Sequence, residues 1–488
     1  MNPNPTQNRK LKKMTTANSL YLPYYAVKEV LRGLAEAGNI SLITKISGHG
    51  GGEEACFQPL SFFVKGVGWV RDQRVLGYSG GGSITAEEIA TLGDELAGFG
   101  LDLDTAGGCA VDLLGKPGIR ASLGLGPLKG MPSPFKSAWA RDVQAGLFGG
   151  RQELFWRYKD KIDRLHKIDQ VGSYASIAAS GLLPCERPIE VRPSQVEAKA
   201  GYDWFIEASV EVNADPGPLP YRTAGGQVCY PSGRWRGLFW LSEILNGGSG
   251  VTILQIHKAD LYRLSDYLQS TASFVLERRQ ASESRWFWKS VAVKMTGLLG
   301  QTAGQKRYYI NRPPKGDGST RTVFSLPGFE VIESLGKPAP RDWTRIHAYS
   351  LLLSLCRQKT YRALKETADW SSGPTDNLLA CHTDGIWQVG SPLLPEDPGW
   401  RVDAERRDFF GDAPMEWSGT GAGTWKIYGG GYVLHEAKAG YADRAGASEG
   451  RRVGRWEAKR LHGGRIWQEG DGSDADQYRT IQPVIDDL

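Results

Sequence analysis

Two apolar runs around a polar turn at residues 377–390, NLLACHTDGIWQVG, constrain this chain more than any other stretch. Residues 378–381 and 386–389 read as strands, and His382-Thr383-Asp384-Gly385 reads as a tight hairpin turn. Asp384 then falls near the tip, with Gly385 taking any positive φ. A second signal lies 215 positions upstream of Asp384. In LHKIDQVGSYASIAAS, residues 165–180, a short strand ends at Asp169 and a small-residue, helix-compatible segment follows. If the two strands are neighbours, the two carboxylates converge. Convergent carboxylates can hold two divalent ions about 3.5–4 Å apart and support in-line phosphoryl transfer by positioning and charge. Oxygen-only ligands suit Mg²⁺. Taken alone, an aspartate in a turn is more often a turn residue than a ligand, so order and company must decide.

Elsewhere the pattern mixes helix and strand. Apolar residues recur at three- and four-residue steps over 25–37, which predicts a helix. GYDWFIEASVEVN (201–213) has the aromatic and β-branched content of a strand, and RWRGLFWLSEIL (234–245) follows a Pro-Ser-Gly turn. Long helices are expected over 276–300 and 345–366. Residues 306–333 read as two extended arms around a Pro/Gly-rich tip. From 401 the chain turns polar and glycine-rich, with a basic cluster at 451–465 and an acidic tail.

Composition narrows the function classes. A chain of 488 residues suits several lobes rather than one domain. A net charge of +5 permits a nucleic-acid partner without demanding one. Six scattered cysteines with no CxxC pair argue against a structural zinc site or a disulfide scaffold, and point to a reducing, cytoplasmic setting. No apolar run approaches the roughly 20 residues of a membrane span. The start, MNPNPTQNRKLKKMTT, is polar and basic, a flexible arm rather than a secretory signal. GHGGGEE (48–54) and YSGGGS (78–83) read as loops. Neither is a GxGxxG after a strand, and no GxxxxGKS/T occurs, so a phosphate-loop NTPase or dinucleotide enzyme is poorly supported.

The order of motifs resembles family B DNA polymerases, especially the compact protein-primed type of phages and linear plasmids. Residues 169–176, DQVGSYAS, resemble the first palm motif, DxxSLYPS. Asp169 takes the metal-ligand place, and Tyr174 that of the tyrosine that packs under the sugar and rejects a 2′-hydroxyl. Ala175 stands where proline is usual. Upstream, Leu147-Phe148-Gly149-Gly150-Arg151 resembles the template-contacting YxGG element, with Leu147 in place of tyrosine. Residues 230–237, YPSGRWRG, leading to Ser242-Glu243-Ile244, resemble the yPxGxwxG stretch.

The helix at 285–300 resembles the fingers motif KxxxNSxYG, with Gly300 at its last glycine and Thr296 at its asparagine. The usual lysine position holds Ala292. Arg285, Lys289 and Thr296 are expected near one helix face with it, so Lys289, one turn earlier, is the expected cation for the triphosphate. A solvated basic face is the alternative. Residues 380–385, ACHTDG, resemble the last palm motif, YxDTDS. Asp384 matches its second aspartate, and His382 and Gly385 replace the first aspartate and the serine. A histidine ligand there would favour Mn²⁺; a turn residue without a role is the other reading. Residues 399–403, GWRVD, resemble the GxWkxE stretch. Tyr432 matches the tyrosine of the primer-holding KxY motif. Its lysine is missing, and Lys426 or Lys438 is the expected substitute. Arg451, Arg452 and Arg455 belong to a basic run that would track duplex phosphates.

The resemblance covers about residues 141–440 and implies an α+β multidomain fold. That fold is a polymerase right hand, with an antiparallel palm sheet, helical fingers, a small thumb and an extra N-terminal domain. The expected divisions are a basic arm (1–18), an N-terminal domain (19–140), palm (141–275), fingers (276–304), a hairpin insertion (305–340), the second part of the palm (341–400), and thumb with tail (401–488). The implied activity is templated transfer of deoxynucleotides, with two Mg²⁺ or Mn²⁺ ions, to a primer 3′-hydroxyl or a protein hydroxyl. The implied partners are template and primer DNA, deoxynucleotides and a priming protein, with no membrane. The family's proofreading exonuclease opens on a DxE strand. Residues 101–104, LDLD, fit it weakly, and no 3′–5′ exonuclease is expected. A catalytically weakened DNA-binding relative and a template-independent or priming nucleotidyltransferase are the alternatives.

Overall fold

The computed structural model describes residues 19–49, 58–77, 84–125, 128, 138–154, 164–214, 217–222, 228–300, 306–312, 320–326, 328–335, 345–367, 378–389, 393–397 and 400–407. It also describes six short strands between 416 and 480. The chain divides into two compact units. One comprises Met1–Lys129, Ser133–Lys136 and Leu268–Arg345, and the other Gly130–Pro132, Ser137–Tyr267 and Ile346–Leu488.

In the first unit, a four-stranded sheet runs Ser19–Leu22, Gly68–Asp72, Gln58–Val64, Ile43–His49. Helix Tyr24–Glu36 buries Val27 and Leu31, the three- and four-step residues that predicted it. They join Ile43, Phe62, Val64 and Val70 in one core, and that core also takes Phe329 and Val331. The last two come from a three-stranded sheet of order Lys306–Ile310, Phe329–Leu335, Thr320–Leu326. The two expected arms are therefore three strands. Gly328, at φ 75, makes the extra turn between the second and third of them in chain order.

The single helix expected over 276–300 is two, Gln269–Ala281 and Arg285–Leu299. Ser282 breaks it: its hydroxyl donates to Glu95 at 2.6 Å and accepts the Ser284 N–H at 2.9 Å. Such local side-chain bonds replace helical ones. Residues 101–104 form no strand; they lead to helix Ala106–Gly115, capped by Thr105.

The second unit holds two larger sheets. Strand Tyr202–Val212 lies between Gly233–Trp240 and Val251–Ser265, antiparallel to both. Its alternate residues Trp204, Ile206, Ala208, Val210 and Val212 share a core with Leu219, Trp235 and Phe239. At the near end of that strand, Asp203 accepts the Ser242 hydroxyl at 2.6 Å and the N–H groups of Trp204 and Ser242 at 2.8 and 3.2 Å. Burial pushes its carboxyl up to about 6. The folded state thus holds that proton above the pH where the unfolded chain releases it. The associated stability is present below about pH 4 and is lost as pH rises through about 6. Asp203→Asn should flatten the stability profile across that window by about 2 kcal/mol, measured by denaturant unfolding at pH 4, 5, 6 and 7.

The other sheet runs Trp400–Arg407, Arg164–Gln170, Gly385–Val389, Leu378–Thr383, Arg151–Leu154, antiparallel throughout. The hairpin is therefore formed, and its second strand pairs with the Asp169 strand. Helix Ile346–Thr367, 22 residues without glycine or proline, covers one face. Its Ala363 and Leu364 pack with Ile168, Leu378, Cys381 and Ile386. Each isoleucine buried there contributes roughly 1.5–3 kcal/mol. Gly172, at φ 62, turns the chain from the Asp169 strand into helix Ser173–Ser180. Mixed helices and predominantly antiparallel sheets in separate units, with Ser19–Leu22 parallel to Gly68–Asp72, make this an α+β multidomain fold. Among the described residues, no helix is long and apolar enough to cross a membrane, and Cys109, Cys185 and Cys356 are free thiols.

Candidate active site

The sheet register sets out the site. One row of positions crosses all five strands: Arg401, Asp169, Gly385, His382 and Gln152. The neighbouring row holds Ile168, Ile386 and Cys381, each 0 % exposed against the long helix. Side chains alternate between faces, so the Asp169 row lies on the face turned away from that helix. Asp169 and Asp384 are both half-buried. Asp384 sits in the turn, where strand alternation no longer applies, and its carbonyl accepts the Gln170 N–H at 2.8 Å. Asp384 thus sits in the turn one residue before Gly385, the residue paired with Asp169.

The turn differs from its expected form. Thr383, not Gly385, takes the left-handed conformation, at φ 59. A tertiary clamp explains this. The Thr383 carbonyl accepts the Thr360 hydroxyl at 2.7 Å, and Cys356 Sγ approaches it at 3.9 Å. Cys356 Sγ also lies 3.2 Å from the Ser173 hydroxyl, which donates to Gln170 Oε1 at 2.8 Å. The middle of the long helix thus holds both aspartate-bearing segments. Burial, reinforced by the charge of Asp384, pushes the Cys356 thiol up to about 12. Burial also raises the Tyr174 phenol well above its usual value, with Cys356 and Asp384 adding to the effect. Tyr174 therefore lies within electrostatic reach of Asp384.

The glycine pair before the sheet is fixed by the same helix. Arg357, 3 % exposed, donates Nη1 to the carbonyls of Phe148 and Gly149 at 2.7 and 3.1 Å. Its Nε and Nη2 donate to the two oxygens of Glu243, both at 2.7 Å. The Ser354 hydroxyl also donates to Glu243, at 2.8 Å. Gly150 lies against the hairpin tip: a Cβ there would stand 2.6 Å from Thr383 Cγ2, whereas one on Gly149 would meet open space. Gly150→Ala should therefore cost about 1–3 kcal/mol and disturb the Asp384 turn, while Gly149→Ala leaves the melting temperature unchanged.

Arg151, expected to touch DNA, is 0 % exposed. Its Nη1 donates to the Gly217 carbonyl at 3.0 Å, and its guanidinium lies 4.1 Å from the Tyr230 ring centroid and 5.4 Å from that of Tyr361. It braces the segment around Tyr230 and offers no cation to solvent. Sequence reasoning missed Cys356, Arg357, Thr360 and Glu243 as supports. The one available signal was the run of polar side chains inside an otherwise apolar helix.

On helix Arg285–Leu299, Arg285 and Lys289 are exposed and share a face with Val293. Ala292 and Thr296 are buried, and the Thr296 hydroxyl bonds back to the carbonyls of Ala292 and Val293, both at 3.1 Å. The face expected to join Lys289 with Thr296 is therefore split between solvent and core. Tyr432 belongs to strand Gly431–His435, but its side chain, with Lys438, Arg451, Arg452 and Arg455, lies outside the described residues.

Among the described residues, no group of three His, Cys, Asp or Glu side chains could hold a metal. The aspartate pair suits the lesser demand of Mg²⁺, which takes one or two carboxylates and completes its shell with water and phosphate oxygens. Gly385 beside Asp169 in the row leaves its neighbouring position without a side chain.

No protein-family model and no curated protein matches the chain. Solved structures do. The orthorhombic crystal form of phi29 DNA polymerase matches at a TM-score of 0.55 and 14 % identity, covering 97 % of this chain and 93 % of that one. Phi29 DNA polymerase complexed with primer-template DNA and incoming nucleotide substrates matches at 0.53 and 13 %, covering 93 % and 90 %. Its complex with single-stranded DNA matches at 0.51 and 14 %, covering 90 % and 87 %. At such identity the likeness is one of fold: the chain has a phi29 DNA polymerase-like fold over nearly its whole length.

Proposed function

We propose that this chain is a DNA-directed DNA polymerase of the family B, protein-primed type, adding deoxynucleotides to a primer 3′-hydroxyl or a protein hydroxyl. One observation carries the reading. Asp169 lies opposite Gly385, directly beside the turn that holds Asp384, and the Asp384 carbonyl accepts the Gln170 N–H, where the last palm motif was expected. The phi29 polymerase-like fold supports it independently.

Asp169 and Asp384 would hold the divalent ions, Mg²⁺ or Mn²⁺. When bound, such ions activate the attacking hydroxyl and neutralise charge on the leaving pyrophosphate. The chain's own residues do the rest. Tyr174, half-buried and within electrostatic reach of Asp384, would form the floor under the incoming sugar. Lys289 and Arg285, both exposed on their helix, are the proposed cations for the triphosphate. Thr296 is not part of this proposal, since its hydroxyl is spent on its own helix. The exposed Gly149 lets backbone approach template phosphate closely. Tyr432, Lys438, Arg451, Arg452 and Arg455 are proposed to follow the primer and duplex phosphates.

We also propose that the N-terminal segment does not proofread. A labelled primer–template should be extended to full length with Mg²⁺ or Mn²⁺ and four deoxynucleotides. It should not be shortened when they are withheld. Steady 3′ shortening would refute the absence of an exonuclease, and failure to extend would refute the polymerase. The weakened-relative reading draws on one observation: Ala292 is buried where the family carries its lysine. Salt-sensitive DNA binding without incorporation would favour it.

A further inference from the structure

Asp169 has a different neighbour on each side. Gly385 opposes it on one strand, and Arg401 opposes it on the other. Directly opposed residues on antiparallel strands share a face, with Cβ atoms roughly 5 Å apart. Arg401 is exposed and Asp169 half-buried, so the long stem of Arg401 can bring its guanidinium to the carboxylate while its head stays in water. Regular pairing breaks between Val402 and Ala404, just past this point, so Arg401 belongs to the last regular stretch beside Asp169.

We propose that Arg401 is a built-in counter-cation of Asp169, which keeps divalent-ion binding at the aspartate pair weak until an anionic substrate arrives. The inference rests on the metal-binding reading above. A fixed positive charge within several ångströms of a divalent ion raises its dissociation constant on the order of tenfold, even at water-like dielectric. The triphosphate of an incoming nucleotide carries the opposite charge. It offsets the guanidinium and adds oxygen ligands, so ion loading becomes coupled to nucleotide arrival. A palm with only two carboxylates would then avoid loading ions unproductively.

The test is direct Mn²⁺ binding, followed by the electron paramagnetic resonance signal of the free ion at low ionic strength, without DNA or nucleotide. The full-length proteins compared are wild type, Arg401→Gln, Arg401→Lys and Asp169→Asn, with circular dichroism to verify folding. Arg401→Gln should bind Mn²⁺ about tenfold more tightly. Arg401→Lys, which keeps the charge, should stay near wild type, and Asp169→Asn should lose the site. If Asp169→Asn weakens binding but Arg401→Gln equals or falls below wild type, the counter-cation is overturned and the metal reading stands. A lysine variant as tight as the glutamine variant also overturns it. Unchanged binding in Asp169→Asn, or no binding in any of the four proteins, overturns both.

Discussion

Asp169→Asn and Asp384→Asn should each lower single-nucleotide incorporation on a primer–template by about a thousandfold or more, with little change in melting temperature. The size follows from what a carboxylate does in such a site. Bound divalent ions are worth several kcal/mol of charge stabilisation in the transition state, and each 1.4 kcal/mol is about tenfold in rate. Asparagine keeps the shape and removes the charge. Asp169 stays in its strand through backbone pairing on both sides, and the backbone carbonyl of Asp384, not its side chain, accepts from Gln170. The fold should therefore survive both changes. Rapid-quench incorporation with Mg²⁺ and with Mn²⁺ measures the effect. A variant that retains wild-type rates removes that aspartate from the site.

The second large effect is on stability. Arg357→Ala should destabilise the second unit by about 3–5 kcal/mol, because it leaves Glu243 as a buried charge without its cation. The carbonyls of Phe148 and Gly149 lose their donor in the same step. In a domain of this size that is roughly 10 °C in melting temperature. Replacing both partners, Arg357→Met with Glu243→Leu, should cost less than either single change, since no charge is left unpaired. Thermal unfolding of the two single variants and the double decides it. A double variant as damaged as the sum of the singles would mean that packing, not charge, dominates there.

These residues also mark what was legible in the sequence. The hairpin, the Asp169 strand and the long helix could be read because each is a local pattern. Apolar runs flank a polar turn, and the helix keeps its apolar residues over 22 positions without a breaker. Their pairing was a conditional statement that the register resolves. Gly385 was the natural choice for the left-handed residue, yet the clamp on the Thr383 carbonyl comes from Thr360, and no local rule contains it. Arg151 looked like a cation for DNA. Its partners Gly217, Tyr230 and Tyr361 lie 66 or more positions away, so its burial was invisible. The same distance hid the Glu243–Arg357 pair, 114 positions apart. The break at Ser282 and the burial of Thr296 arise the same way, from contacts that override local propensity.

The central claim is that the aspartate pair copies a template. The most direct measurement is single-nucleotide incorporation by the wild-type protein on four primer–templates that differ only in the next template base, each offered the four deoxynucleotides separately. The account predicts addition of the complementary nucleotide on each template and loss of that addition in Asp384→Asn. Addition of the same nucleotide whatever the template base, or none on any template with either ion, would contradict it.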